Sequence, residues 1–364
     1  MKIFQLIQKP QLRGAEIFAS QLSNHLVELG DECKLITLFE GDARLPFRGE
    51  IVELNRPLNK RLWDLSGWSQ LADLIKHEKP DILQANAGDT LKFAVLSKLV
   101  FGWKTPIVFR NANKMSDFMD TKPKYWLNKF FLNHVAHIIS VSESCSEDLI
   151  QFFSFPKQKV DTVEIGIELN AIGSLPSDIE SIFGKGPVLI NVGSFVPEKN
   201  QRGLLRIFAQ MSEQIKHVQL IIIGKGKLEG ELKSLTIQLG VEKQVHFLGY
   251  RTDVLEIIKQ CSAFVLPSHI EGLPGVILEA MYERCPVVAY DVGGVGEVVK
   301  NELTGILLRM DDEESFAKAI LNILLNTDHN EMMKDAAYQL VTKEFDNREI
   351  AKRFREVYDS VLRD

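Results

Sequence analysis

Cysteine is scarce and basic charge is not in excess, and both absences narrow what this 364-residue chain does. Its four cysteines, Cys33, Cys145, Cys261 and Cys285, stand far apart, with no Cys-x-x-Cys and no Cys/His spacing. That pattern speaks against a disulfide framework and a structural metal, and fits a reduced, cytoplasmic compartment. Lys and Arg number 43 against 49 Asp and Glu, and the whole acidic excess falls after residue 170. Without a basic face, nucleic acid is not expected as a partner. No apolar run is long enough to span a bilayer, and the opening Lys2–Ile7 reads as a strand rather than a signal peptide. Short-period repeats and low-complexity segments are absent too.

What is present is ordinary for a soluble globular chain: 45% apolar and 25% charged residues. The length suggests two domains of roughly 150 to 200 residues. Short apolar runs alternate with helical patterns throughout, which implies right-handed crossovers and mostly parallel sheets with helices on both faces. In the first half the strands are expected at 3–7, 34–38, 51–54, 81–85, 107–110, 138–141 and 160–164. The helices are expected at 15–29, 60–77, 90–101 and 144–153. Glycines and prolines cluster between Gly166 and Pro187 and periodicity lapses, as in a linker. Alternation then restarts. The expected fold is α/β: two Rossmann-like doubly wound domains, residues 1–168 and 169–346, facing a central cleft. A C-terminal helix at 347–364 returns to the first domain.

The most informative stretch runs from Ser262 to Met281. An apolar strand ends at Leu266, a turn rich in Gly272, Pro274 and Gly275 follows, and a helix begins. The first amides of such a helix lack intrahelical partners and favour a phosphate. Glu271 stands before that helix and Glu279 on its second turn. Other polar residues also follow strand ends: Ser194, Glu198 and Lys199 after Val192, Gly224-Lys225-Gly226-Lys227 after Ile223, Tyr250 and Arg251 after Leu248, and Asp291 to Glu297 after Tyr290. A lysine, glycine-rich turns, helix amino ends and two carboxylates make the inventory for a nucleotide-diphosphate-sugar. Near the start, Arg13-Gly14-Ala15-Glu16 turns a strand into a helix without a Gly-x-Gly-x-x-Gly, so a dinucleotide is not indicated. Lys122 to Leu132 is basic and aromatic at helical spacing. It reads either as a face at a membrane interface or as a core helix with solvated lysines. The basic, tryptophan-containing stretch from Arg44 to Trp68, with Arg48, Arg56, Lys60 and Arg61, would add to the same face.

These residues resemble the family 4 glycosyltransferases, retaining enzymes of the GT-B architecture. The resemblance rests on Gly193 to Asn200, Ile223 to Gly226, Leu248 to Tyr250, Ser268 to Glu279 and Asp291 to Glu297. In the first half it rests on Arg13 to Glu16, Val141 to Glu143 and Val163 to Ile167. It implies that Lys199 neutralises the donor diphosphate, Glu271 meets the transferred sugar and Glu279 holds the ribose. Gly272, Leu273, Gly275 and Val276 would line phosphate and sugar with backbone N–H groups, with Pro274 shaping the turn among them, and Gly14 would lie near the diphosphate. Tyr250 and Arg251 would flank the base. The chain departs from the family at Ser194, where many members carry arginine. It also lacks a first-domain histidine, for which Asn111 or Asn113 would substitute. Lys225 or Arg251 would then help Lys199, and Gly224 belongs to the same donor crevice. His269 reads as a structural hydrogen-bonder.

The expected activity is retaining transfer of a hexose from a UDP- or GDP-sugar to a saccharide or lipid-linked saccharide, in polysaccharide or lipopolysaccharide synthesis. The catalytic group would be Glu271, Lys199 and Asn113, with no metal and no cofactor beyond the donor. The chain would be cytoplasmic, in peripheral contact with the inner face of the membrane. The alternatives are a nucleotide-sugar epimerase of the same fold and a non-catalytic sugar-nucleotide binder.

Overall fold

The computed structural model describes residues 1–60, 63–169 and 173–363. Arg61 and the centre of the expected linker, 170–172, lie outside them. In chain order the elements are β1 (Lys2–Ile7), α1 (Gly14–Glu28), β2 (Glu32–Phe39), β3 (Glu50–Arg56), α2 (Leu65–Glu78), β4 (Ile82–Ala85), α3 (Gly88–Phe101), β5 (Ile107–Asn111), α4 (Lys122–Leu132), β6 (His137–Ser140), α5 (Glu143–Phe152) and β7 (Val160–Thr162). There follow α6 (Glu180–Phe183), β8 (Val188–Val192), α7 (Gln201–Ser212), β9 (Gln219–Ile223), α8 (Glu229–Gln238), β10 (Val245–Gly249), α9 (Val254–Ile258) and β11 (Ala263–Leu266). The chain ends with α10 (Gly275–Tyr282), β12 (Val287–Tyr290), α11 (Val295–Val298), β13 (Ile306–Leu308), α12 (Glu313–Leu325), α13 (Thr327–Glu344) and α14 (Asn347–Arg363). Two compact units result: Met1–Glu168 with Asp346–Asp364, and Leu169–Phe345.

The first unit holds a seven-stranded sheet in the order β3-β2-β1-β4-β5-β6-β7, parallel throughout. Its central strands are buried on both faces, so each carries an apolar stretch (Ile82-Leu83, Ile107 to Phe109, Ile138-Ile139), with polar residues toward the ends. The second unit holds a six-stranded parallel sheet, β10-β9-β8-β11-β12-β13. In each sheet the strand order reverses once, between β1 and β4 and between β8 and β11. A crevice opens above the carboxyl ends of the strands at such a reversal, and ligands of open α/β sheets bind there.

Local chemistry moves several expected boundaries. The helix expected from Lys60 starts at Leu65, because the Asp64 carboxylate caps it by accepting from the Gly67 N–H. Arg56 holds that carboxylate at 2.7 Å, so its charge is spent locally. β7 stops at Thr162, a three-residue edge strand, two residues short of expectation. A short helix, α6, occupies part of the expected linker.

α14 lies in the first unit against α1, where Phe354 meets Phe18 with ring centroids 5.7 Å apart. Its Tyr358 hydroxyl is fully buried and donates to Gln84 Oε1 at 2.6 Å. Gln84 Nε2 and Asn86 Nδ2 in turn donate to Gln5 Oε1. A satisfied polar network of this kind fixes one register of helix on sheet.

Candidate functional site

In the second unit, the loops after β8 and β11 flank the reversal of strand order and are fastened to each other. Gly224 has φ +146, and a Cβ there would sit 1.9 Å from the Gly193 carbonyl oxygen. Only glycine lets the loops after β8 and β9 approach so closely. Beyond Gly193 the chain makes a 3-10 turn over Pro197–Lys199 into Asn200, which is left-handed at φ 49. The Asn200 side chain accepts from the Gly203 N–H, capping α7, and donates to the Pro267 carbonyl at 3.1 Å. The His269 N–H donates to the Glu198 carbonyl at 2.8 Å.

These ties bring Lys199 Nζ to 2.6 Å from Glu271 Oε1 across the reversal. Glu271 is 5% exposed, while the Lys199 side chain keeps 27% of its surface open. From the other side, a Cβ at Gly293 would meet the Glu271 carbonyl oxygen at 1.8 Å, and the Gly294 N–H donates to the Gly272 carbonyl at 2.6 Å. Glu271 is therefore held at its backbone by the loop after β12 and at its carboxylate by Lys199.

After Gly272, Leu273 and Pro274, all buried, α10 begins at Gly275. No side chain caps it, so the first-turn amides of Gly275 and Val276 stay available to a ligand anion. Glu279 keeps part of its surface open, yet burial lifts its carboxyl to about 7. Its charge, after burial, also raises the Tyr250 hydroxyl, which places Tyr250 in the same neighbourhood. Ser194 is half-buried, and its carbonyl accepts from Gln201 Nε2.

Arg251 requires a correction. Its guanidinium is committed to Asp253 at 2.6 and 2.7 Å and to Asp178 at 2.7 Å, and these bonds raise its pKa further. A fork so engaged is spent, and the expectation that it helps hold phosphate is revised in favour of the exposed Lys225 and Lys227. His269 Nε2 lies 2.8 Å from Asp311 Oδ1, in a structural pairing. Among the described residues, no three His, Cys, Asp or Glu side chains gather as a metal set would require.

The first unit has its own cavity, of about 340 Å3, at the reversal of its sheet. Ala15 of α1, Asn86 to Gly88 and Arg110 to Asn113 line it. Gly14 opens α1, with nothing within 4 Å of where its Cβ would stand. The Asn111 amide faces Ser140 Oγ and the Cys145 carbonyl at 3.4 and 3.5 Å, whereas Asn113 is half-buried on the cavity wall. Of the two asparagines, Asn113 is thus the open one. The sequence alone assigns no role to the Arg110 side chain or to Asn200 as a cap. A charge at the end of Ile-Val-Phe and an asparagine immediately before a helix were the available signals.

Residues 177–340 match the model of glycosyl transferases group 1, and residues 12–171 that of glycosyltransferase family 4. The chain belongs to the family 4 glycosyltransferases, and its two parallel-sheet α/β units are those of the GT-B fold. It is 27% identical over 297 residues, covering 76% of this chain and 75% of the other, to a UDP-Gal:α-D-GlcNAc-diphosphoundecaprenol α-1,3-galactosyltransferase of Escherichia coli. It is 24% identical to an N-acetyl-α-D-glucosaminyl L-malate synthase of Bacillus anthracis, with 98% and 96% covered. Among solved structures, Anabaena HepE in complex with UDP and glucose superposes with TM-score 0.85 at 21% identity, covering 99% and 100%.

Proposed function

We propose that the chain transfers a hexose from a UDP- or GDP-sugar to a lipid-linked saccharide with retention of configuration, in the synthesis of a cell-surface polysaccharide or lipopolysaccharide. The observation that carries this reading is the Lys199–Glu271 pair beside the uncapped start of α10. One ammonium and two first-turn amides suit a diphosphate, and the two carboxylates suit the hydroxyls of sugar and ribose.

In this reading Lys199 lies on the diphosphate, Glu271 on the transferred sugar and Glu279 on the ribose, with Tyr250 near the base. The bond between the anomeric carbon and the diphosphate oxygen breaks as the acceptor oxygen attacks from the same face. The acceptor's proton passes to the departing diphosphate, so no protein nucleophile is consumed. The protein contributes positioning and stabilisation of the charge that builds on the leaving oxygen. Support from relatives lies in the donor and acceptor named for the E. coli galactosyltransferase and in the UDP and glucose bound by Anabaena HepE.

Peripheral membrane contact completes the proposal. No helix among the described residues is long and apolar enough to cross a membrane. α4, however, exposes Trp126, Leu127 and Phe130 alongside Lys122 and Lys124, while Phe131 and Leu132 face the core.

Incubation with labelled UDP- and GDP-sugars and a polyprenyl-diphosphate-linked saccharide tests the function. Transfer to the lipid with the anomeric configuration kept is the expected result. An isomerised donor would make the chain an epimerase. Saturable donor binding without turnover would make it a binding protein.

A further inference from the structure

Arg110, at the carboxyl end of β5, is 3% exposed and lines the cavity of the first unit. Its guanidinium lies over the Phe18 ring, 4.5 Å from the centroid. Neither Nε nor Nη1 has a hydrogen-bond partner. Burial lowers its pKa to about 10, which still leaves it charged near neutrality. Glu16 lies near enough for its charge to oppose the effect of burial on Arg110, yet no hydrogen bond joins them: Glu16 accepts from Gln11 at 2.8 Å, and Asp89 accepts from Gln8 at 2.9 Å. A buried cation with unmade hydrogen bonds is costly to keep, unless a ligand completes it.

The surroundings indicate which ligand. Lys92 and Lys124 also line the cavity, and no acidic side chain does, although Lys124 is paired with Asp120 at 3.2 Å beside it. α1 and α3, helices of 15 and 14 residues, both begin at it. Arg110, Lys92 and two helix amino ends call for more than one negative charge. The planar fork of Arg110 suits phosphoryl oxygens.

We propose that this cavity binds the diphosphate of an anionic acceptor, with Arg110 as its principal cation. The acceptor role rests on the transferase reading; the diphosphate site does not. The donor's diphosphate has its own cation in Lys199, so the two sites can be separated experimentally.

Calorimetric titration of the full chain with inorganic pyrophosphate, farnesyl diphosphate and farnesol tests the proposal. The titrations are repeated on Lys199→Ala, on Arg110→Gln and, because loss of a buried arginine can prevent folding, on the partly open wall residue Lys92→Ala. Both diphosphates are expected to bind Lys199→Ala as they bind wild type at this site. Affinity should fall at least about tenfold in Arg110→Gln and about threefold in Lys92→Ala, as loss of charge-assisted contacts implies. Farnesol should not bind. Tighter binding of farnesyl diphosphate than of pyrophosphate assigns the anion to a lipid-linked acceptor, and equal binding to a soluble diphosphate. Diphosphate affinity unchanged in Lys92→Ala and in folded Arg110→Gln overturns the proposal, as does binding abolished by Lys199→Ala alone. UDP affinity indifferent to Lys199→Ala would instead sink the donor assignment and leave the Arg110 site standing.

Discussion

Lys199 and Glu271 compensate each other unequally. Glu271 is nearly sealed from water, whereas more than a quarter of the Lys199 side chain is open. Removing the lysine strands a buried carboxylate, while removing the glutamate leaves an ammonium that water can reach. Lys199→Ala and Glu271→Ala should each lower transfer at least about a hundredfold, the usual effect of losing a positioned charge contact. Thermal unfolding should drop further in Lys199→Ala than in Glu271→Ala, and near-normal turnover in either variant would contradict its role. Glu279 gives a pH signature. Burial raises its carboxyl to about 7 from an ordinary value near 4.5, so the charged form is disfavoured in the free fold. Ribose hydroxyls donate to a carboxylate, so donor binding favours the ionised form and releases a proton. Affinity should therefore rise about tenfold between pH 6 and 8. Calorimetry across that range checks it, and an affinity that is flat or falls with pH would exclude the ribose contact.

At the scale of elements, the exposed face of α4 carries a prediction of its own. Sedimentation with anionic vesicles should pull down the wild-type chain, while Trp126→Asp should reduce the bound fraction severalfold. Equal binding by both, or none by wild type, would count against a membrane face on this helix. Elements such as β9 and β11 were legible because strands buried on both faces are unbroken apolar runs between turn residues. The turn into α10 was legible because glycine and proline mark it. The start of α2 was not: Lys60 to Asp64 looks helical by period, and only the Arg56–Asp64–Gly67 contacts reveal the cap. α11, four residues long, leaves no periodic trace. Arg110 was hidden because its meaning lies in missing partners, which no spacing records.

At the scale of the whole molecule, what the sequence could not disclose is pairing over distance. Lys199 meets Glu271 across 72 positions, and Tyr358 meets Gln84 across 274, whereas periodicity is a local signal. The chain leaves the first unit after Glu168 and re-enters it at Asp346, and His25 sits at this junction. His25 Nε2 lies 3.0 Å from Glu168 Oε1, and Asn347 donates to the same oxygen at 2.7 Å. The bond to Glu168, with Glu28 assisting, raises the His25 pKa against the opposing effect of burial. A histidine raised in the fold contributes stability that is full below its unfolded value, about 6.5, and is lost as pH climbs through the folded value. Urea midpoints should fall over that window and lose this dependence in His25→Gln; an unchanged slope in the variant would exclude the junction as its source. The central claim concerns the carboxyl edge of the second unit's sheet. A crystal structure with an intact UDP-sugar tests it most directly. The account predicts phosphoryl oxygens within hydrogen-bond reach of Lys199 Nζ and the Gly275 and Val276 amides, with the ribose on Glu279. A nucleotide bound elsewhere, with Glu271 and Glu279 turned to solvent, would contradict it.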